Sequence, residues 1–347
     1  MADKPYRVVQ WATGKVGQTA LRHFLTNPTY AVVGVYVTNP EKVGKDAGEL
    51  VGLPPTGVLA TDDVEAIVQL DADCVHFAPM VEDIGMVCRL LRSGKNVVSP
   101  LGPFYPTGKF AEPLARLDTA AKAGGVSFHG SGIHPGFAGD LLPLTMARMM
   151  DRIDRIHVYE VVDHLANPSK YIQYMGFGRA PEDLLKNPAR SPDAPYIFAQ
   201  SMALVVEALG KTLDAEVTSK LELATATEDI AYPGGVVKAG TVAGQHYEWT
   251  GSADGKPLIT FHCFWVMGDR ITPTWPCGPS GYRVTMEGDP PLTLSLAGVG
   301  PDGQPTYPGL SLTAMLGADV IPAVCDGPPG VLTHLDLGVV RPRGLVR

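Results

Sequence analysis

The sequence predicts an α/β chain in two parts: a doubly wound parallel-sheet domain over 1–133, then an α+β domain of mostly antiparallel sheet over 134–309. Three observations lead there. Apolar strand-like runs alternate with amphipathic stretches through the first part, as βαβ units require. After Gly132-Ile133-His134-Pro135-Gly136 that rhythm stops and long β-rich runs take over. The length of 347 residues also exceeds what one ordinary core supports.

In the first part the predicted strands are Arg7 to Trp11, Ala31 to Val37, Asp73 to Ala78, Asn96 to Ser99 and Val126 to Gly130. Between the first two, Val16, Ala20, Leu21, Phe24 and Leu25 share one helical stripe, and Ile84 to Leu91 repeat the pattern. The second part opens with a helix (Ala138 to Met150), a strand (Ile156 to Val162), a loop and a helix (Tyr196 to Leu209). Strands follow at Leu221 to Ile230, Val236 to Thr250, Leu258 to Val266, Tyr282 to Glu287 and Leu292 to Leu296. Asp254-Gly255 between two of them is a hairpin signal, because glycine tolerates the positive φ of a tight turn. Helical periodicity returns from Leu310 to Val324, so the segment 310–347 is expected to rejoin the first domain.

Composition excludes several function classes. The formal charge is −8, and the 28 Lys and Arg residues form no basic run, which argues against nucleic acid. No stretch approaches the ~20 consecutive apolar residues of a membrane helix. Met1 to Pro5 lead into a strand without a leader pattern, so a soluble cytoplasmic protein is expected. Cys74, Cys88, Cys263, Cys277 and Cys325 are widely spaced, form no CxxC set and read as reduced thiols. His262 beside Cys263 points to the opposite strand face, and no metal is expected.

The most specific local signal is Val8-Val9-Gln10-Trp11-Ala12-Thr13-Gly14-Lys15-Val16-Gly17, a strand running through a glycine turn into a helix. Gly14 lets backbone approach a pyrophosphate, Gly17 lets helix pack on strand, and the helix start offers free N–H groups. This is the dinucleotide fingerprint of a Rossmann domain, with Ala12 at the usual first glycine. Ala12, Thr13, Gly14, Lys15, Val16 and Gly17 are therefore candidate cofactor residues. At the end of the second strand, Thr38 and Asn39 stand where NAD enzymes carry an acid on the ribose, and Lys42 follows. NADP(H) is expected over NAD(H). Ala78 and Pro79, and Ser99, end later strands on the same sheet edge.

These residues resemble the dihydrodipicolinate-reductase-like oxidoreductases, within them the 2,4-diaminopentanoate dehydrogenase and native amine dehydrogenase group. The likeness rests on Gln10 to Gly17, Gly94-Lys95-Asn96-Val97-Val98-Ser99, Gly132-Ile133-His134-Pro135-Gly136-Phe137, Gly288-Asp289-Pro290 and Ile321-Pro322-Ala323-Val324. It implies hydride transfer from a nicotinamide cofactor to a C=N or C=O carbon, in a cleft between the domains, by a homodimer. The group's glutamate after the strand at Asn96 to Ser99 is missing, because Pro100 to Tyr105 hold no carboxylate. Poor use of free ammonia is therefore expected, with Asp163 as the replacement carboxylate to test.

Proton transfer during reduction needs a positioned acid or base. His134, Tyr174, Asp163 and His164 are the candidates, the last three on or beside a long aromatic loop after a strand, a form that suits a pocket wall. Tyr171, Arg179, His262 and Trp265 are candidate substrate-pocket residues for a small or medium, largely apolar substrate. The alternative is an NADP(H)-binding sensor or regulatory subunit without turnover.

Overall fold

The computed structural model describes residues 4–167, 171–187 and 194–346. The first part runs β1 (Tyr6–Trp11), α1 (Lys15–Thr26), β2 (Tyr30–Tyr36), β3 (Ala60–Thr61), α2 (Val64–Gln69), β4 (Cys74–Phe77), α3 (Ile84–Arg92), β5 (Asn96–Ser99), α4 (Ala111–Gly124) and β6 (Ser127–Gly130). Every strand of this sheet pairs in parallel, in the order β3-β2-β1-β4-β5-β6. Such a sheet is covered on both faces, so its strands are apolar runs rather than alternating ones. Val9, Val75, Val97 and Phe128 pack with Leu90, Leu91 and Leu117 of α3 and α4. Val8 and Val98 pack on the opposite face with Ala20 and Phe24 of α1.

The middle of the chain supplies α5 (Leu141–Ala147), β7 (Arg152–Asp163), α6 (Tyr171–Tyr174), α7 (Pro181–Lys186), α8 (Ala194–Ala208), β8 (Val217–Ala226) and a small hairpin of β9 (Ile230–Tyr232) and β10 (Gly235–Val237). Then come β11 (Val242–Ala253), β12 (Lys256–Val266), β13 (Ile271–Thr272), β14 (Gly281–Asp289), β15 (Leu292–Leu296), β16 (Gly298–Val299) and β17 (Pro305–Thr306). Seven of these strands form one sheet, ordered β13-β8-β11-β12-β7-β14-β15. All its neighbours are antiparallel except β12 with β7. Asp254 (φ 55°) and Gly255 (φ 75°) close the β11–β12 hairpin with two left-handed residues, the type I′ pattern. One face of the sheet is apolar: Phe198 of α8 sits 4.9 Å from Trp249 and 5.8 Å from Phe261.

The chain then returns through α9 (Gly309–Asp319), α10 (Ile321–Cys325), β18 (Gly330–Leu332) and α11 (His334–Leu337). β18 adds to β6 in parallel as the seventh strand of the first sheet. Ala314, Ala318, Ile321 and Val324 join the cluster of Val8, Ala20 and Phe24. By contact the chain divides into one unit of Met1–Phe137 with Gly309–Arg347 and another of Ala138–Pro308.

Several boundaries differ from the sequence expectation for identifiable reasons. The helix expected over Leu310 to Val324 breaks at Val320, because Pro322 at its second position lacks the N–H a continuing helix needs. The strands expected at Leu221 to Ile230 and Val236 to Thr250 are each interrupted. Asp229 gathers Lys238 Nζ and the Ala239 N–H, folding the small β9–β10 hairpin out between them. The helix expected from Ala138 starts at Leu141, where the Asp140 carboxylate accepts from the Leu141 N–H.

Candidate active site

The fingerprint turn lies where β1 passes into α1. Ala12 adopts φ 69°, the left-handed region that glycine occupies freely, so this turn keeps its shape at a cost of ~1 kcal/mol. The strain is held by a buried side chain. Gln10 Nε2 donates to Ala12 O at 2.8 Å and Trp11 O at 3.2 Å, which turns Gln10 Oε1 toward His76 Nδ1 at 2.9 Å. Because Oε1 only accepts, His76 carries its hydrogen on Nδ1. Neither Gln10 nor His76 was a sequence candidate; the signal was one polar residue inside the buried run of each central strand, Val8 to Trp11 of β1 and Cys74 to Phe77 of β4.

Gly14 heads α1 at φ −70° and is exposed, and a Cβ built there meets nothing within 4 Å. At Gly17 the same atom would lie 2.1 Å from Ala12 O, so this glycine serves helix-on-strand contact. Lys15 is exposed and Val16 half-buried on the first turn of α1. Thr13 is buried, and Lys42 Nζ donates to its carbonyl at 2.9 Å and lies 3.0 Å from its hydroxyl. Thr38 and Asn39 are exposed beyond β2, and Asn39 Oδ1 accepts from the Glu41 N–H at 3.0 Å. Ala78 donates its N–H to Trp11 O at 3.1 Å, with Pro79 beside it. Ser99 is buried, its hydroxyl accepting from the Leu101 N–H. The predicted cofactor residues thus gather at the carboxyl ends of β1, β2, β4 and β5. Strand order reverses between β1 and β4, the switch point where open α/β sheets bind ligands.

Burial pushes the imidazoles of His76 and His334 down to about 4, so both fold neutral. The unfolded chain, with an ordinary histidine near 6.5, takes up these protons first. The stability they contribute is complete above about pH 6.5 and is lost as pH falls toward about 4, by at most ~3 kcal/mol each. Thermal melts are expected to fall steadily from pH 7 to pH 5. A flat profile there contradicts neutral burial of the pair.

The second unit holds a buried carboxylate that sequence reasoning missed. Glu160 on β7 is 7% exposed, its Oε1 accepting from Trp265 Nε1 at 2.9 Å and its Oε2 from the Tyr282 hydroxyl at 3.0 Å. Tyr282 is linked on to the Tyr307 hydroxyl at 2.7 Å. Burial and the Glu160 charge hold the Tyr282 phenol well above its usual range. Trp265, a pocket candidate, is thus a donor to this carboxylate. His262 lies on the other face of β12, against His157, His246 and Glu248, so the two residues do not share a pocket wall.

The remaining candidates have local partners. Asp163 is exposed, and its Oδ1 accepts from the Leu165 and Gly268 N–H groups, which ties a loop. Arg179 donates to the carbonyls of Asp183 and Asn187 at the end of α7. His164 packs edge-on to Phe177 at 5.8 Å, and its Nδ1 lies 3.4 Å from Asn167 Nδ2. Tyr174 is 75% exposed on α6. His134 is half-buried in the first unit, next to Pro135. The side chain of Tyr171 lies outside the described residues.

The sheet order, with an unobstructed glycine turn at its switch point, defines a Rossmann-type dinucleotide-binding unit. Residues 137–345 match the family described as 2,4-diaminopentanoate dehydrogenase C-terminal domain, and residues 8–98 that described as dihydrodipicolinate reductase, N-terminus. The chain belongs to the 2,4-diaminopentanoate dehydrogenase family. It is 30% identical to an amine dehydrogenase of Streptomyces virginiae, over 95% of each chain. It is 27% identical to 2,4-diaminopentanoate dehydrogenase of Acetoanaerobium sticklandii, over 71% of this chain and 67% of that one. The solved structure of amine dehydrogenase from Mycobacterium smegmatis shares the fold at a TM-score of 0.78, with 22% identity and 98% of each chain covered. The protein is accordingly an NAD(P)-dependent dehydrogenase acting at a C=O or C=N carbon, and the sensor alternative is set aside. Among the described residues no helix is long and apolar enough to cross a membrane.

Proposed function

We propose that this chain interconverts a primary amine and its carbonyl compound with NADP(H), and that Glu160 receives the substrate nitrogen. One observation carries the reading: a buried carboxylate oriented by an indole N–H and a phenol, in a chain whose Pro100 to Tyr105 stretch has no acid. Asp46 and Asp140, also buried, accept from backbone N–H groups and from one hydroxyl each, Thr56 and Ser201, whereas both oxygens of Glu160 face aromatic side-chain donors. A carboxylate oriented by two side-chain donors is placed to pair with an ammonium or iminium, the kind of pairing that buried charges require. Bound nicotinamide supplies or accepts the hydride. Glu160 would hold the nitrogen, while His134, His164 and Tyr174 are the proposed sources of the accompanying proton.

NADPH consumption against a panel of largely apolar small and medium ketones, with and without ammonia, tests the reading. With Glu160 available to hold the nitrogen, ammonia-dependent turnover is expected in place of the poor use of ammonia that the acid-free Pro100 to Tyr105 stretch implied; reduction indifferent to ammonia assigns the chain to carbonyl reduction instead. The preference for NADP(H) is supported by the missing acid at Thr38 and Asn39 and by the Lys42 ammonium drawn to Thr13. Lys42→Ala is expected to weaken NADP(H) about tenfold, ~1.4 kcal/mol, and to leave NAD(H) unchanged in calorimetric titration. Equal loss for both, or no preference in the unmodified protein, removes Lys42 from that role. The reading includes a cytoplasmic homodimer, supported by the family resemblance and checked by sedimentation.

A further inference from the structure

The face of the second sheet opposite Trp249 and Phe261 carries a row of imidazoles that the dehydrogenase chemistry does not use. His246 on β11 and His262 on β12 place Nε2 and Nδ1 3.4 Å apart, and Glu248, paired across the strands with His262, brings Oε2 to 3.7 Å from the same Nδ1. The outward nitrogens decide what these atoms offer. His246 Nδ1 lies 3.4 Å from Glu222 Oε2, which also accepts from Trp275 Nε1 at 3.2 Å. A carboxylate only accepts, so His246 carries its hydrogen on Nδ1 and turns an Nε2 lone pair inward.

The other side is built the same way. His157 Nε2 lies 3.5 Å from Glu287 Oε1, and His157 Nδ1 lies 3.2 Å from His262 Nε2. In the tautomer that directs the His157 hydrogen toward Glu287, His157 Nδ1 accepts from His262 Nε2–H, and His262 also turns a lone pair inward, from Nδ1. Two lone pairs and a carboxylate oxygen then converge, all three donor atoms within 4.8 Å of one another. Bonds of ~2.0–2.1 Å around a tetrahedral zinc ion set neighbouring donors ~3.3 Å apart, and imidazole ligands whose far nitrogen is held by a carboxylate or another acceptor are the usual arrangement.

We propose that His246, His262 and Glu248 form a binding site for a divalent transition metal of the zinc class, with Glu222 and His157 orienting the two imidazoles. Water completes the fourth position, and the ion ties β11 to β12. Adjacency in the sequence could not reveal the set, because Cys263 beside His262 faces the opposite side and the second imidazole comes from the neighbouring strand. The site is independent of the proposed amine chemistry at Glu160, which lies on the other face of the sheet.

The test uses tag-free full-length protein, stripped with chelator and titrated with Zn²⁺ against a chromophoric competitor, with Co²⁺ absorption as the report on donor geometry. One equivalent per chain and a tetrahedral Co²⁺ spectrum are expected. His246→Ala with His262→Ala should abolish that equivalent, Glu248→Gln should weaken it more than tenfold, and Glu222→Gln should weaken it ~10–100-fold through His246. The conservative Glu248→Gln, at a half-buried position, keeps the test intact where the double variant fails to fold. Less than one equivalent at micromolar Zn²⁺, or unchanged affinity in Glu248→Gln, overturns the proposal. NADPH titration of the same samples is expected to be unaffected by metal.

Discussion

Gly14→Val is expected to abolish dinucleotide binding while leaving the chain folded. The backbone there, at φ −70°, accepts any residue, and the added Cβ touches no protein atom within 4 Å. What the valine fills is the space in front of the free N–H groups of α1, where a pyrophosphate has to lie. Gly17 supplies the contrast, since its Cβ would land 2.1 Å from Ala12 O, and Gly17→Ala should lower the melting temperature with cofactor binding falling as a consequence. Calorimetric titration with NADPH beside thermal melts separates the two. Normal binding by Gly14→Val would remove the cofactor from this turn.

The second large effect belongs to Glu160. Glu160→Gln keeps the shape and removes the charge, and truncating one member of a buried charge pair costs ~2–5 kcal/mol, so ammonia-dependent turnover should fall by roughly two to three orders of magnitude. NADPH affinity should hold. Asp163→Asn is expected to stay within a few-fold of the unmodified enzyme, because the asparagine Oδ1 can still accept from the Leu165 and Gly268 N–H groups. Turnover that survives Glu160→Gln and collapses in Asp163→Asn would move the amine partner to the loop.

The contrast between these carboxylates shows what a sequence can and cannot say here. The fold was legible because its signals are local: a glycine turn between a strand and an amphipathic helix, an Asp-Gly hairpin, and the change from helical to strand periodicity. The strand–glycine–helix turn that is proposed to hold the cofactor was legible for the same reason. Glu160 was not, because its partners Trp265 and Tyr282 are 105 and 122 residues away and only the sheet brings them together. The loop from Asp163 to Arg179 read as a pocket wall from its composition, yet Asp163 and Arg179 satisfy backbone groups nearby. The metal-type cluster depends on strand pairing in the same way, with His157 and His262 lying 105 residues apart.

The cofactor unit is assembled from both sides of an insertion, and this bears on how the chain comes to be folded. Tyr30 donates its hydroxyl to Ala318 O at 2.9 Å, and β18 pairs with β6 across the whole intervening unit. A nascent chain emerging at ~5–20 residues per second therefore holds Val8, Ala20 and Phe24 without their final cover until the last helices leave the ribosome. During that interval the half-built sheet leaves apolar surface uncovered, whereas Ala138–Pro308 is contiguous in the chain. A circular permutant that joins the present termini and opens at the boundary near Gly309 would make the cofactor unit contiguous, and it should shorten the aggregation-prone phase of refolding.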